Sequence, residues 1–341
     1  MYYWRKNEMK IVCITPIKHL DGVYERLEQY GEVIYVPEIS KLELTKLLSE
    51  TPDIEYLFTN PNKQNFILDE EVLENSNIKV INTCSTGLNH IDLQYVLGEK
   101  NIEVWSLKED FELIDDLPST AELSFGLMLS LLRKIPQGFD SVKKGNWDYE
   151  PLIGRQVKGL TIGIFGFGRL GKILVKLLKG WGVNILVNDP YTDCKYSGHE
   201  EFPPHKFSEV EPKELLEKSD VVFLHLHANE ETRNMVDREF LSSMKKGAIL
   251  INTSRGELVD EKEIIKSLHS RDELGGYGTD VIRDEFGNVK NSKLIEFANS
   301  RYPEIMGNDR IVITPHVGGM TWEGQTKAYK WAVDKFGEIN G

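Results

Sequence analysis

Short apolar runs alternate with longer, polar, helix-like stretches along almost the whole chain. From Lys10 to about Val104 the runs are Ile11–Ile14, Val33–Val36, Ile54–Phe58 and Val80–Asn82. Uninterrupted apolar runs of this length are what strands look like when both faces are covered, so they predict a small parallel α/β domain. The alternation resumes with more apolar runs at Leu160–Phe165, Asn184–Val187, Val221–Leu224, Ala248–Asn252 and Leu274–Thr279, ending at Ile311–Thr314. That predicts a second, larger α/β domain. Between the two, Pro118-Ser119 opens a long helix in which Ser119 and Glu122 are spaced for a capping box. Its ELSFGLMLSLL run is apolar around much of its circumference, so burial between domains or in a subunit interface is expected. The last segment, Thr321–Gly341, places Trp322, Ala328, Tyr329, Trp331, Ala332 and Phe336 in a helix-like pattern with no strand of its own. It is expected to return to the first domain and make it discontinuous, 1–117 with 317–341, around a second domain of 118–316. No internal repeat or low-complexity segment interrupts this plan.

Composition narrows the class of partner. A chain of 341 residues, 40% of them hydrophobic, can build two cores of ordinary size. A formal net charge of -13, with no run of lysine or arginine longer than two, argues against nucleic acid or an anionic membrane surface as partner. Any anionic ligand must then be held by local groups. Cys13, Cys84 and Cys194 lie far apart without metal-type spacing, so they read as buried or incidental thiols in a reducing compartment, and no metal site is expected. The N-terminus lacks a signal-peptide pattern, MKIVCIT from Met9 reads as a first strand, and Leu123–Leu132 is too short to span a bilayer. A cytoplasmic protein is the expectation.

The densest chemical signal is LTIGIFGFGRLG, Leu160–Gly171. A strand delivers Gly166, Gly168 and Gly171 in G-x-G-x-x-G spacing, and a helix with Leu170, Ile173, Leu174, Leu177 and Leu178 on one face follows. The first glycine permits the tight turn, the second lets backbone approach a pyrophosphate, and the third allows close packing; helix N–H groups then face the anion. The alternative is a purely structural turn. The next strand ends at Asp189, an acid placed for the ribose hydroxyls of an adenosine. A 2'-phosphate would be repelled there, so NAD is favoured over NADP.

Ligands of open α/β sheets sit beyond the carboxyl ends of the strands. Thr253-Ser254-Arg255-Gly256 follows one strand end, Asp280 and Glu285 follow the next, and Pro315-His316 with Gly318-Gly319 follows the last. Arg255 suits a substrate carboxylate, or else forms a surface ion pair. His316 near a carboxylate suits proton transfer at neutral pH, or else caps a turn.

Taken together, these motifs resemble the D-isomer-specific 2-hydroxyacid dehydrogenases over nearly the whole chain. The likeness is strongest over GIFGFGRLGK, NEETRNMVDREFLSSMKKGAILINTSRGELVDE, GYGTDV and ITPHVGG, and weaker at CSTGLNHID (Cys84–Asp92) and LPSTAE (Leu117–Glu122). The resemblance implies two Rossmann-like, doubly wound parallel-sheet domains with a cleft between them, the first and last segments binding substrate (flavodoxin-like) and 118–316 binding NAD. It implies that Arg255 binds the substrate carboxylate and carbonyl oxygen, that His316 carries the proton, that Glu285 partners it, and that the backbone of Ser85, Thr86 and Gly87 completes the carboxylate site. It also implies cofactor contacts at Gly166, Gly168, Arg169, Leu170, Gly171, Asp189, Thr120, Thr232, Thr253, Ser254 and Gly319, with Asp280 at the nicotinamide end. A homodimer is expected from the apolar helix and the segment through Trp147 and Ile153. The implied reaction interconverts a 2-oxo acid and a D-2-hydroxy acid.

Two departures stand out. His227 in HLHANEET replaces the proline of most members, and DEFGNVKNSK replaces an acid-proline ending, which leaves Asp284 as an alternative to Glu285. The competing readings are a formate- or phosphite-type dehydrogenase, in which the formate enzymes carry glutamine at the Glu285 position, and a non-catalytic NAD-sensing or corepressor-like scaffold, which would not need Arg255, Glu285 and His316 together.

Overall fold

The computed structural model describes residues 9–61, 64–192, 207–269, 273–283, 285, 289–300 and 310–340. Cys194 and Asp284 lie outside the described residues. The chain divides into two compact units, Met1–Leu117 with Met320–Gly341, and Pro118–Gly319. Each is built on a sheet in which every strand pair is parallel.

In the first unit the strands are β1 (Met9–Cys13), β2 (Gly31–Tyr35), β3 (Tyr56–Thr59), β4 (Val80–Thr83) and β5 (Glu103–Trp105). Their order is β2-β1-β3-β4-β5, so the winding reverses between β1 and β3. One face is covered by Leu44, Leu48, Val72 and Val96, which pack on Val12, Leu57 and Ile81. The other face is covered largely by the C-terminal helix, Trp322–Asp334, whose Tyr329, Ala332 and Val333 meet Ile11, Cys13 and Phe58. Thr321 caps that helix by accepting from Gly324 N at 3.1 Å, Arg26 and Asp334 pair at its far end, and Asn82 donates to the Ala332 carbonyl at 2.7 Å.

In the second unit the strands are β6 (Thr161–Phe165), β7 (Asn184–Asn188), β8 (Phe207–Glu209), β9 (Val221–Leu224), β10 (Ala248–Asn252), β11 (Leu274–Thr279) and β12 (Ile311–Ile313), in the order β12-β11-β10-β9-β6-β7-β8. The winding reverses between β6 and β9, which is where ligands of this architecture lie. Apolar residues cover both faces. Ile162, Ile164 and Phe223 face Leu127, Leu174 and Leu178, while Val222, Leu224 and Leu250 face Leu215, Leu241 and Leu268. The expected α/β class with two parallel sheets is what the chain adopts.

The long helix, Ser119–Leu132, differs from expectation at its cap. Pro118 already has helical angles (φ -80, ψ -12) and occupies the cap, its carbonyl accepting from Glu122 N at 2.9 Å; Ser119 is therefore the first helical residue, and no side chain caps the end. A capping box needs an extended cap residue, which the helical Pro118 does not offer. The helix is also buried in its own unit, with Ala121, Leu127, Met128 and Leu132 in the core formed with β6 and β9, and Phe125 edge-on to Trp181. Leu123, Phe125, Leu129 and Leu131 on the same helix are only partly buried. Among the described residues no helix is long and apolar enough to cross a membrane.

His90, in the first unit, is fully buried, and burial pushes its imidazole down to about 4. The unfolded ring titrates near 6.5, so below that pH the unfolded chain binds a proton that the native chain refuses. The contribution is complete above about pH 6.5 and is lost progressively as pH falls towards 4, amounting to ~2–3 kcal/mol. Urea midpoints of the parent should fall from pH 7 to pH 4 and fall less steeply in His90→Gln; equal slopes would show that His90 is not the source.

Candidate active site

The glycine-rich turn after β6 shows a separate steric reason at each glycine. Gly166 has φ +91, and a Cβ there would lie 2.2 Å from the His225 carbonyl oxygen, because the end of β9 backs directly onto the turn. A Cβ on Gly171 would lie 2.3 Å from the Gly166 oxygen, so the helix Arg169–Leu178 approaches the turn as closely as backbone allows. Gly168 is the exception: a Cβ there would meet nothing within 4 Å, and no side chain caps the helix that it begins. A helix start without a side-chain cap, beside open space, has the geometry that an anion cradle needs. Leu170 packs against the core beneath it. Asp189, one residue beyond β7, accepts from Phe167 N at 2.7 Å, Tyr191 N at 2.9 Å and Thr192 N at 3.1 Å. The predicted acid is thus fastened to the turn itself.

Arg255 stands at the end of a turn braced from within. Buried Asn252, the last residue of β10, accepts from Ser254 N at 3.0 Å and donates to the Arg255 carbonyl at 2.9 Å, while Ser254 Oγ donates to the Leu224 carbonyl at 2.8 Å. A Cβ on Gly256 would lie 2.1 Å from the Ile282 carbonyl carbon, so glycine lets the Arg255 turn pack against the segment that leads to Glu285. The half-buried guanidinium donates to the Ser254 carbonyl at 2.6 Å and pairs with no carboxylate among the described residues. It is a fixed cation with donors to spare.

His316 has φ +53, a left-handed backbone that is uncommon for a residue with a side chain. The conformation is imposed by Asp280, whose side chain is buried after β11. Asp280 Oδ1 accepts from Thr314 Oγ1 at 2.6 Å and Val317 N at 2.8 Å, Oδ2 accepts from Gly318 N at 2.7 Å, and its carbonyl accepts from His316 N at 2.9 Å. Burial lifts the Asp280 carboxyl above the ordinary carboxylate range, opposed by these donors and by His316. The turn so shaped directs the exposed His316 ring to Glu285, with Nδ1 2.9 Å from Oε1. Glu285 is 15% exposed and the ring 43% exposed, so the carboxylate is the sheltered partner and the imidazole the one open to a ligand.

A Cβ on Gly318 would lie 3.1 Å from Thr120 and from Asp280 Oδ2, so Thr120, Asp280 and the His316 turn are neighbours. Gly319 is exposed. Thr253 is buried with its hydroxyl unpartnered. Thr232 is turned inward to its own loop: its Oγ1 donates to the His227 carbonyl at 2.7 Å and accepts from Asn229 N at 2.9 Å, which closes the loop where proline was replaced. Ser85, Thr86 and Gly87, after β4 in the first unit, form a turn in which Ser85 Oγ donates to the Gly87 carbonyl at 2.7 Å.

Sequence reasoning missed His225. Its ring stacks on Phe223 at 6.1 Å between centroids, and both ring nitrogens are buried without a partner. Burial, aided by the Arg169 charge, pushes it down to about 4. A polar residue closing the apolar run VVFL was the available signal. The same holds for Asn252, the polar end of AILIN. The orphaned His225 and Thr253 atoms, the open space at Gly168 and the uncapped helix fit a polar, anionic dinucleotide.

The D-isomer specific 2-hydroxyacid dehydrogenase NAD-binding domain matches residues 125–318, more than half of the chain. The chain is 31% identical over 321 residues to D-3-phosphoglycerate dehydrogenase of Methanocaldococcus jannaschii, covering 94% of this chain and 55% of that protein. It is 29% identical over 318 residues to hydroxypyruvate reductase of Thermotoga maritima, covering 93% and 90%. The chain therefore spans about half the length of the first relative and most of the second. The crystal structure of D-lactate dehydrogenase from Aquifex aeolicus, complexed with NAD and lactic acid, superimposes with a TM-score of 0.74 at 26% identity, over 97% of this chain and 95% of that one. The chain belongs to the D-isomer-specific 2-hydroxyacid dehydrogenase family.

Asp280→Asn tests the brace. An amide presents N–H groups where backbone N–H or Thr314 O–H now donates, so at least one donor faces another donor in a buried place. The expected loss is about 1–3 kcal/mol of stability, with a further loss of any activity that depends on His316. An unchanged urea midpoint and unchanged turnover would show that the carboxylate is not what shapes the turn.

Proposed function

We propose that this protein is an NAD-dependent oxidoreductase that interconverts a 2-oxo acid and a D-2-hydroxy acid. The observation that carries the reading is the 2.9 Å contact between His316 Nδ1 and Glu285 Oε1 on a turn whose imidazole is otherwise exposed. Family membership supports it.

An ionised carboxylate only accepts, so Glu285 requires the proton on Nδ1 and leaves Nε2 as the nitrogen that exchanges a proton with substrate. In reduction, Nε2–H donates to the substrate C2 oxygen as negative charge grows there; in oxidation, Nε2 takes the hydroxyl proton. Arg255 binds the carboxylate and the carbonyl oxygen, its charge stabilising the developing alkoxide by a few kcal/mol. The backbone N–H groups of Ser85, Thr86 and Gly87 are assigned to the substrate carboxylate on the family likeness. Bound NADH supplies the hydride to C2. The cradle at Gly168 would hold its pyrophosphate, and Asp189 would accept from its ribose hydroxyls and disfavour NADP. Because the formate reaction moves no proton, a Glu285–His316 pair has no work in a formate-type enzyme.

A homodimer and a cytoplasmic location belong to the same reading. The helix Ile135–Lys143 buries no residue, and Phe139, Trp147, Tyr149 and Ile153 that belong to it or follow it are 64–92% exposed. An apolar surface of this kind suits a second copy of the chain. Cys13 and Cys84 are buried free thiols, as a reducing compartment allows.

The test is a panel of 2-oxo acids (glyoxylate, pyruvate, hydroxypyruvate, bulkier aliphatic and aromatic acids) followed by NADH absorbance, with NADPH in parallel. At least one acid should turn over, NADH should be preferred, and His316→Ala should lower kcat on the order of a hundredfold while NADH binding survives. No turnover across the panel, or equal turnover in His316→Ala, would overturn the reading. Sedimentation should give twice 39.1 kDa at micromolar concentration, whereas Trp147→Glu with Phe139→Glu should give the single-chain mass; a monomeric parent would remove the dimer.

A further inference from the structure

The turn Ser85-Thr86-Gly87 is tied to the interior by a chain of side-chain hydrogen bonds that the functional reading does not use. Thr83 Oγ1 lies 2.9 Å from Ser85 Oγ and 2.9 Å from His90 Nε2, and Ser85 Oγ donates to the Gly87 carbonyl at 2.7 Å. The direction of every bond follows from its last member. A carbonyl only accepts, so the Ser85 hydrogen points to Gly87. Ser85 Oγ can then only accept from Thr83, and Thr83 Oγ1 can only accept from His90. His90 is therefore the neutral tautomer with its hydrogen on Nε2. Its Nδ1 is buried without a partner, so a second proton would find no acceptor there.

Both ends of the chain are anchored. The His90 carbonyl accepts from Leu68 N at 2.9 Å, and Asp92 N donates to the Leu68 carbonyl at 3.0 Å, which pins the backbone around the histidine. At the other end three carbonyls are taken: that of Ser85 by Leu107 N at 3.0 Å, that of Gly87 by Ser85, and that of Leu88 by Ile91 N at 3.0 Å. The N–H groups of Ser85, Thr86 and Gly87 have no acceptor among the described residues. A turn with most of its carbonyls engaged and successive N–H groups free is a receptor for an anion.

We infer that His90 is a positioning residue for substrate: through Thr83 and Ser85 it holds this turn in the shape that presents its backbone N–H groups to the carboxylate of a 2-oxo acid. The inference rests on the functional reading above for the identity of the anion. It also assigns Ser85 a buttressing side chain, its hydroxyl committed to Thr83 and Gly87, and leaves carboxylate recognition to the backbone.

The relay is tested by Thr83→Val, which keeps the side-chain shape and removes the central hydroxyl, by Thr83→Ser, which restores it, and by Ser85→Ala, which removes the last link. In Thr83→Val and Ser85→Ala the KM for the best 2-oxo acid should rise about tenfold, with kcat falling less and the NADH dissociation constant, read by fluorescence, unchanged. Thr83→Ser should restore the parent KM, and the double variant Thr83→Val with Ser85→Ala should be no worse than either single one, because both break the same chain. Unchanged KM in both single variants, additive effects, or a matching loss of NADH affinity would overturn the inference. A parent that reduces no 2-oxo acid would instead sink the functional reading. Hydrogen exchange of the Ser85–Leu88 amides then decides the relay by itself, faster in Thr83→Val than in the parent and in Thr83→Ser if it holds, and equal in all three if it does not.

Discussion

The buried carboxylate of Asp280 is the constraint on which the candidate chemistry depends. It gathers a threonine hydroxyl and two successive backbone N–H groups after β12, and its own carbonyl takes the N–H of His316. With these contacts in place His316 stands at φ +53 with its ring on Glu285. A neutral amide or an apolar residue would leave buried donors unmet, and a more exposed acid would be hydrated and bind the turn less firmly. The rise of the Asp280 carboxyl above the ordinary range reflects the same compromise: burial opposes the charge that the donors favour.

Close backbone approach is the second constraint, acting within the glycine turn and between strand ends that are remote in sequence. Gly166 meets the carbonyl after β9, Gly171 meets Gly166, and Gly256 meets Ile282. Each contact brings one functional segment against another: the anion cradle against His225, and the Arg255 turn against the segment leading to Glu285. A methyl group at any of these positions would have to displace main chain rather than a side-chain tip. The chain is acidic, with a net charge of -13, and the Arg255 guanidinium, the uncapped helix start at Gly168 and the Ser85–Gly87 N–H groups are local features of a kind that can meet an anion.

The parts legible in the sequence were those whose cause is local. Continuous apolar runs announced the strands, with β9, β10 and β11 at the boundaries expected, because a strand covered on both faces has no choice of residue type. The short edge strand Phe207–Glu209 carried no such signal, since one of its faces and most of its length are exposed. The cap of the long helix departs from its pattern because Ser-x-x-Glu specifies a capping box only when the cap residue is extended, and here the helical Pro118 takes the cap position.

By itself the sequence determined the glycine spacing, the acid at the end of the second strand of that unit, and the order Arg255, Glu285, His316 along successive strand ends. These follow from steric and chemical requirements that act within a few residues. Only the tertiary structure decided that Asp280 shapes the His316 turn, that Ser254 and Thr232 are engaged with backbone, that His225 sits unpartnered behind the glycine turn, and that His90 reaches Ser85 through Thr83. Some of these contacts join strand ends far apart in the chain and others span only a few residues, but in every case a buried or loop-bound polar side chain does not reveal its partner until packing has excluded water from every other choice.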